Sequence, residues 1–180
     1  MAELPSGVSP SREQTFVRLV GEFGPALRRL TQSYEADPAL REDLLQEILL
    51  AVWQAIPQFR GEASERTWLY RIAHNTAISA VISRNRRRAR ERTIPPEFEP
   101  PSRGEGPDEE AAQQLRREAL FAAIRELPLA DRRVVTLHLD GLSYAEIEQT
   151  TGLSQSAIAT RLSRARARLA ERLNAKEARR

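Results

Sequence analysis

Apolar residues in this sequence recur every three or four positions and nowhere alternate with polar ones over a strand's length. That period restricts the chain to helices packed on helices, so the predicted class is all-α. Ser11–Glu22 and Pro25–Tyr34 read as two short helices broken at Gly24-Pro25, with Pro25 in a first-turn position. Asp37-Pro38 caps a long helix through Ile56, whose Leu40, Leu44, Leu45, Ile48, Leu49, Val52, Trp53 and Ile56 form a broad core stripe. Pro57 stops it. A polar loop over Arg60–Ser64 leads into a helix from Thr67 to about Arg87 that ends in arginines. Glu110–Glu126 and Ala130–Asp140 continue the helical pattern.

Two segments break the pattern. Residues 1–11 are rich in Pro, Ser and Gly without periodicity and are expected to be a disordered tail. Thr93–Glu110 holds five of the eleven prolines, with Gly104 and Gly106 and almost no apolar side chain. Such a spacer favours extended polyproline backbone, reaching roughly 55 Å at about 3.1 Å per residue. Two small helical domains are therefore expected, over 12–92 and 111–180. Neither has a generous core, so each should be only marginally stable alone.

Composition excludes several functions. The 180 residues contain no Cys, which removes disulfides, thiol nucleophiles and Cys-based zinc sites. Of the 28 basic residues only Lys176 is a lysine, and no phosphate loop can be drawn. His74 and His138 stand apart from carboxylates at metal-ligand spacing, so neither metal, cofactor nor catalytic residue is expected. His74 reads as a helix surface or interface residue, and Trp53 and Trp68 read as core. No run of about eighteen apolar residues would span a membrane, and no secretory signal opens the chain. The expected location is cytoplasmic.

The net charge of +3 conceals a pattern of +4 over 12–92, −4 over 93–118 and +4 over 119–180. Six arginines crowd Arg84–Arg92, and eight bases face two acids from Ser154 onward. Charge gathered at the ends of two blocks is a nucleic-acid footprint, against which stands a plain solvated helix face. The second block also carries SYAEIEQTTGLSQSAIATRLSRARARL. Ser143 with Glu146 makes a capping box, Gly152 a C-cap, and Ser154 caps a further helix with core residues Ile158, Leu162, Ala165, Leu169 and Leu173. A short helix, a tight glycine turn and an arginine-rich helix make a helix-turn-helix. The face opposite that core presents Ser156, Ala157, Thr160, Arg161, Arg164 and Arg168, small enough near the N-terminus for a major groove. In the first block Asp43 and Glu47 share a helix face with Leu50, either as solvated surface or as an acidic strip for a partner.

DLLQEILLAVW (Asp43–Trp53), FRGEASERTWLYRIAHN (Phe59–Asn75), the arginine cluster, the spacer and the terminal helix-turn-helix together resemble bacterial sigma factors of the extracytoplasmic-function branch, over about residues 12–173. The resemblance implies that Asp43, Gln46, Glu47 and Leu50 dock on the clamp coiled coil of core RNA polymerase, with the flap as a further contact. It implies that Phe59, Arg60, Gly61 and Ser64 belong to a loop capturing a base flipped from the melted minus-ten element. Trp68, Arg71, Asn75, Ser79, Arg84, Arg86 and Arg87 would meet the same promoter DNA. The helix capped by Ser154 would read the minus-thirty-five duplex, and the acidic spacer would run through the polymerase cleft. Members of the family are often held by an anti-sigma protein, and in holoenzyme they would be nucleoid-associated. The sequence departs from the family pattern in having Ser79 for an aspartate, Glu148 for a small residue, Ala159 for a basic one and Glu65 for an aromatic.

A promoter-specificity subunit is thus the leading expectation. A stand-alone helix-turn-helix regulator of duplex operators explains only the C-terminal block, and a phosphoryl-transfer or nuclease enzyme lacks metal ligands and a phosphate loop.

Overall fold

Helix starts in this chain are set by side chains that accept the first free N–H groups. A computed structural model describes residues 11–91 and 108–177, among which there are seven α-helices, one 3-10 turn and no strand. The expected tail and most of the spacer lie outside the described residues. Ser11, assigned to the tail, instead caps α1 (Arg12–Tyr34): its Oγ accepts the Gln14 N–H at 3.1 Å and its own N–H donates to Gln14 Oε1 at 2.9 Å.

The expected break at Gly24-Pro25 is absent, and α1 runs through it. A proline inside a helix loses one hydrogen bond and crowds the preceding residue's Cβ. Gly24 has no Cβ to crowd. Gly21, whose carbonyl would have accepted the missing bond, is exposed to water. Both costs are reduced by the neighbouring glycines, so periodicity wins.

Asp37 Oδ1 accepts from Ala39 and Leu40 N–H at 2.8 and 3.4 Å and starts α2 (Pro38–Ala55). A 3-10 turn over Ile56–Gln58 follows. Ser64 Oγ accepts the Thr67 N–H at 3.1 Å at the head of α3 (Glu65–Glu91), which is longer at both ends than its periodicity predicts. Leu19, Leu27 and Leu30 of α1, Leu44, Leu45, Ile48 and Val52 of α2, and Leu69, Ala73 and Ala77 of α3 are buried together. The Arg12 guanidinium lies 4.2 Å over the Trp53 ring and donates to its carbonyl, closing one end of the bundle. Arg18 clasps Glu65 with two bonds of 2.6 and 2.8 Å, an exposed pair contributing at most about 1 kcal/mol.

The second half comprises α4 (Asp108–Arg125), α5 (Leu129–Leu139), α6 (Tyr144–Thr151) and α7 (Gln155–Glu177). The expected capping box is present, with Ser143 Oγ accepting from Glu146 N–H and Glu146 accepting the Ser143 N–H at 2.7 Å. Gly152 ends α6 at φ 76°, a left-handed conformation that costs other residues a Cβ clash. Ile158, Leu162 and Ala165 are buried on α7, whereas Leu169 and Leu173 are half-buried.

The two halves share one core, because α3 packs on α5 and α6 while α1 packs on α4 and α5. Arginines span the junction. Arg66 donates to the Asp140 carbonyl at 2.5 Å, Arg71 to that of Gln149, and Arg125 to that of Gln32 at 2.8 Å. Arg29 reaches the Asp140 carboxylate at 3.4 Å, and the Arg132 guanidinium covers the Tyr34 ring.

His74 lies at this junction and is fully buried, so of its two sequence readings, surface or interface, the interface one holds. Its Nδ1 shares a 2.8 Å hydrogen bond with the Tyr34 hydroxyl, and its Nε2 has no partner among the described residues. Burial first, then the nearby Arg133 charge, pull its pKa from 6.5 down to about 3. Above pH 6.5 the imidazole is neutral folded or unfolded and contributes nothing to pH dependence. As pH falls below that, the unfolded chain takes up a proton that the folded one refuses. Stability therefore drops toward the folded value, by up to about 1.4 kcal/mol per pH unit. In urea denaturation at pH 7 and pH 5, the wild type should lose more stability than His74→Gln. Equal losses would assign the acid sensitivity to other groups.

Candidate nucleic-acid interface

One side of α3 carries Trp68, Arg71, Asn75, Ser79 and Arg86 at helical spacing, a stripe about 27 Å long at 1.5 Å per residue. All but Trp68 are exposed, and Arg87 lies exposed beside the stripe. Its lower end opens on a hollow of about 550 Å³ between α3 and the loop after the 3-10 turn, lined by Pro57, Phe59, Arg60, Ala63, Trp68 and Arg71. Phe59 and Trp68 are tilted against one another at 4.9 Å, half-buried, and form an apolar floor. Gly61 turns the loop at φ 73°, and Ser64 is committed to capping α3. Aromatic faces under a rim that holds Arg60 and Arg71, with Glu62 beside them, suit an unstacked base with its phosphate.

Arg84 does not join this stripe. It pairs with Glu35 at the end of α1, where burial and then the charges of Arg88 and Arg87 lower its pKa. Arg71 is exposed yet spends one N–H on the Gln149 carbonyl of α6.

Asp43, Gln46, Glu47 and Leu50 share the solvent side of α2, opposite Leu44, Leu45, Ile48 and Val52. Leu50 is 57% exposed, an apolar side chain among acids with nothing covering it. A groove of about 650 Å³ runs between α2 and α3, with Asp43 and Glu47 on one bank and Asn75, Ser79 and Arg87 on the other. The acidic strip and the α3 stripe are therefore neighbours.

On α7 the exposed side presents Ser154, Gln155, Ser156, Thr160 and Arg164, with Ala157 half-buried beside them. Arg161 and Arg168 flank this side and converge on Asp131 of α5, at 2.7 and 3.3 Å. They hold α7 on α5, a commitment that helical spacing could not reveal. Two further residues on this side, Ser163 and Gln155, were not singled out from sequence, and Glu148 was noted there only as a departure from the family pattern. Ser163 is exposed between Ser156 and Arg164, and strict 100° spacing would have found it. Gln155 and Glu148, joined by a 3.0 Å hydrogen bond across the turn, carried no local signal as a pair. No cluster of His, Asp and Glu fit for a metal occurs among the described residues.

Comparison with known proteins decides what such a surface belongs to. Residues 19–88 match the family model for Sigma-70 region 2, and residues 117–169 that for Sigma-70 region 4. The ECF RNA polymerase sigma-E factor of Escherichia coli K12 is 33% identical over 131 residues, 69% of either chain. The chain belongs to the ECF family of RNA polymerase sigma factors. Another relative, the RNA polymerase sigma factor NccH of Alcaligenes xylosoxydans xylosoxydans, is 28% identical over 166 residues, covering 87% of this chain and 86% of that one. Among solved structures, the sigma factor RpoE of Bartonella quintana, crystallised with the anti-sigma factor NepR, superposes with a TM-score of 0.70 at 25% identity, over 89% and 97% of the two chains. CnrH, solved with the cytosolic domain of CnrY, shares the fold at a TM-score of 0.66 and 24% identity, over 91% and 90%. As an ECF sigma factor the chain binds RNA polymerase and directs transcription initiation at promoters. A stand-alone operator-binding regulator would leave the region 2 match without a role.

Proposed function

We propose a division of labour between the two halves of this sigma factor. Asp43, Gln46, Glu47 and Leu50 dock on the clamp coiled coil of core polymerase, with the flap as a second contact for the C-terminal half. The hollow at Phe59, Arg60, Gly61, Ser64 and Trp68 holds a base extruded from the minus-ten element, and Arg71, Asn75, Ser79, Arg86 and Arg87 follow the parted strand. Arg84 supports α3 through Glu35. Ser154, Ser156, Ala157, Thr160 and Arg164 face the minus-thirty-five duplex, while Arg161 and Arg168 brace the helix that does so.

The groove between α2 and α3 carries this reading. It places the acidic strip beside Asn75 and Ser79, so a polymerase element on α2 would border the strand on α3. The family is not known for enzymatic activity, and we assign this chain no catalytic step. No described helix is long and apolar enough to cross a membrane, and the protein is proposed to work on cytoplasmic polymerase, nucleoid-associated in holoenzyme. An anti-sigma protein that clasps both halves is a proposed partner, supported by the CnrH and RpoE complexes. Adding the protein to purified core polymerase should yield promoter-specific run-off transcripts from genomic fragments. Silence on every fragment would sink the proposal.

A further inference from the structure

In the first two turns of α7 only Gln155 and Arg161 have long polar side chains; the rest are Ser, Ala, Ile, Thr and Leu. Arg161 is bound to Asp131 at 2.7 Å. If this end of the helix reads bases through a long side chain, Gln155 is the group left to do it. It is exposed, sits at the first helical position, and is oriented by its Nε2, which donates to Glu148 Oε2 of α6 at 3.0 Å. A carboxylate only accepts, so the nitrogen of the amide must face Glu148. One N–H is thereby spent. What remains is one N–H donor beside one carbonyl acceptor.

That pair matches one base. Adenine offers an acceptor at N7 and a donor at N6 in the major groove, whereas guanine offers two acceptors, N7 and O6. A free glutamine can satisfy guanine with both of its N–H groups. Once Glu148 takes one of them, the carbonyl oxygen is left against O6. Glu148 thus removes the alternative that would admit guanine.

We infer that Gln155 is a specificity-determining residue selecting adenine at one position of the upstream promoter duplex, with Glu148 its positioning residue. The inference rests on the reading of α7 as the duplex-facing helix.

The test uses full-length protein in holoenzyme, selecting from a pool of duplexes randomised over ten base pairs upstream of a fixed downstream element. Wild type should favour adenine over guanine at one position by about five- to a hundred-fold, the range of one bidentate contact. Gln155→Ala should flatten that position alone. Glu148→Ala should raise guanine toward parity with adenine there. Glu148→Gln should keep the preference, because its amide oxygen still accepts from Gln155. A charge effect on phosphates would instead make both Glu148 variants alike and strengthen binding at every position evenly, which would overturn the inference. So would a wild-type pattern unchanged by Gln155→Ala. No upstream preference in the wild type itself would reject the duplex-facing reading of α7 and the inference with it.

Discussion

Reversing two charges on α2, Asp43→Arg with Glu47→Arg, should abolish binding to core RNA polymerase and leave the helical content unchanged. Both side chains are exposed on the side of α2 away from Leu44, Leu45, Ile48 and Val52, so no core contact is disturbed. Surface substitutions of that kind usually change stability by less than about 0.5 kcal/mol. At an interface the effect is different in scale. Each acid that meets a basic partner becomes a like charge, and such juxtaposition costs several kcal/mol. Two of them should lower affinity at least about a thousand-fold, at 1.4 kcal/mol per decade. Leu50→Ala removes only apolar contact and should weaken binding by about five-fold, since truncating a peripheral contact costs on the order of 1 kcal/mol. Affinity capture on immobilised core, read beside circular dichroism, separates the cases. Unchanged capture by the double variant would move the docking surface elsewhere, and lost helicity would show that α2 needs these acids to fold.

Strand opening should depend on the Phe59–Ser64 loop and Asn75 far more than initial promoter binding does. A base in an intact duplex is stacked, so the Phe59/Trp68 hollow can act only once the strands have begun to part. Stacking on an aromatic contributes about 1–3 kcal/mol per base, comparable to the cost of unpairing it. Asn75→Ala, or deletion of Glu62 and Ala63 to shorten the loop, should leave closed complexes nearly unchanged and cut opening about ten- to a hundred-fold. On a template already unpaired over the downstream element much of the defect should vanish. Permanganate footprints on linear and bubble templates measure both. Equal defects on the two would assign these residues to binding or folding.

What could be read beforehand follows the range of the interactions. The Ser143–Glu146 box, the Gly152 turn and the buried run Ile158, Leu162, Ala165 are set within one or two helical turns, and sequence shows them. The unbroken α1 was missed because Pro25 is a breaker in isolation and only its glycine neighbours make it tolerable. Sequence leaves His74 between helix surface and interface, because nothing near it marks Tyr34, forty positions away, as its partner. At the candidate site, spacing groups Asp43 with Glu47, and the family resemblance groups Trp68 with Asn75. Neither could show that Arg84, Arg161 and Arg168 are drawn off to Glu35 and Asp131. All arginines look alike until the distant carboxylates are in place.

Three of the arginine bonds across the junction between the halves end on main-chain oxygens, those of Gln32, Asp140 and Gln149. A carbonyl is supplied by every amino acid, so substitution at the accepting positions cannot delete the acceptor. Genetic change reaches these bonds through the donors alone, Arg66, Arg71 and Arg125. These three bonds can thus outlast changes in the accepting side chains, while the shared core and the Arg29–Asp140 pair remain tied to residue identity on both sides.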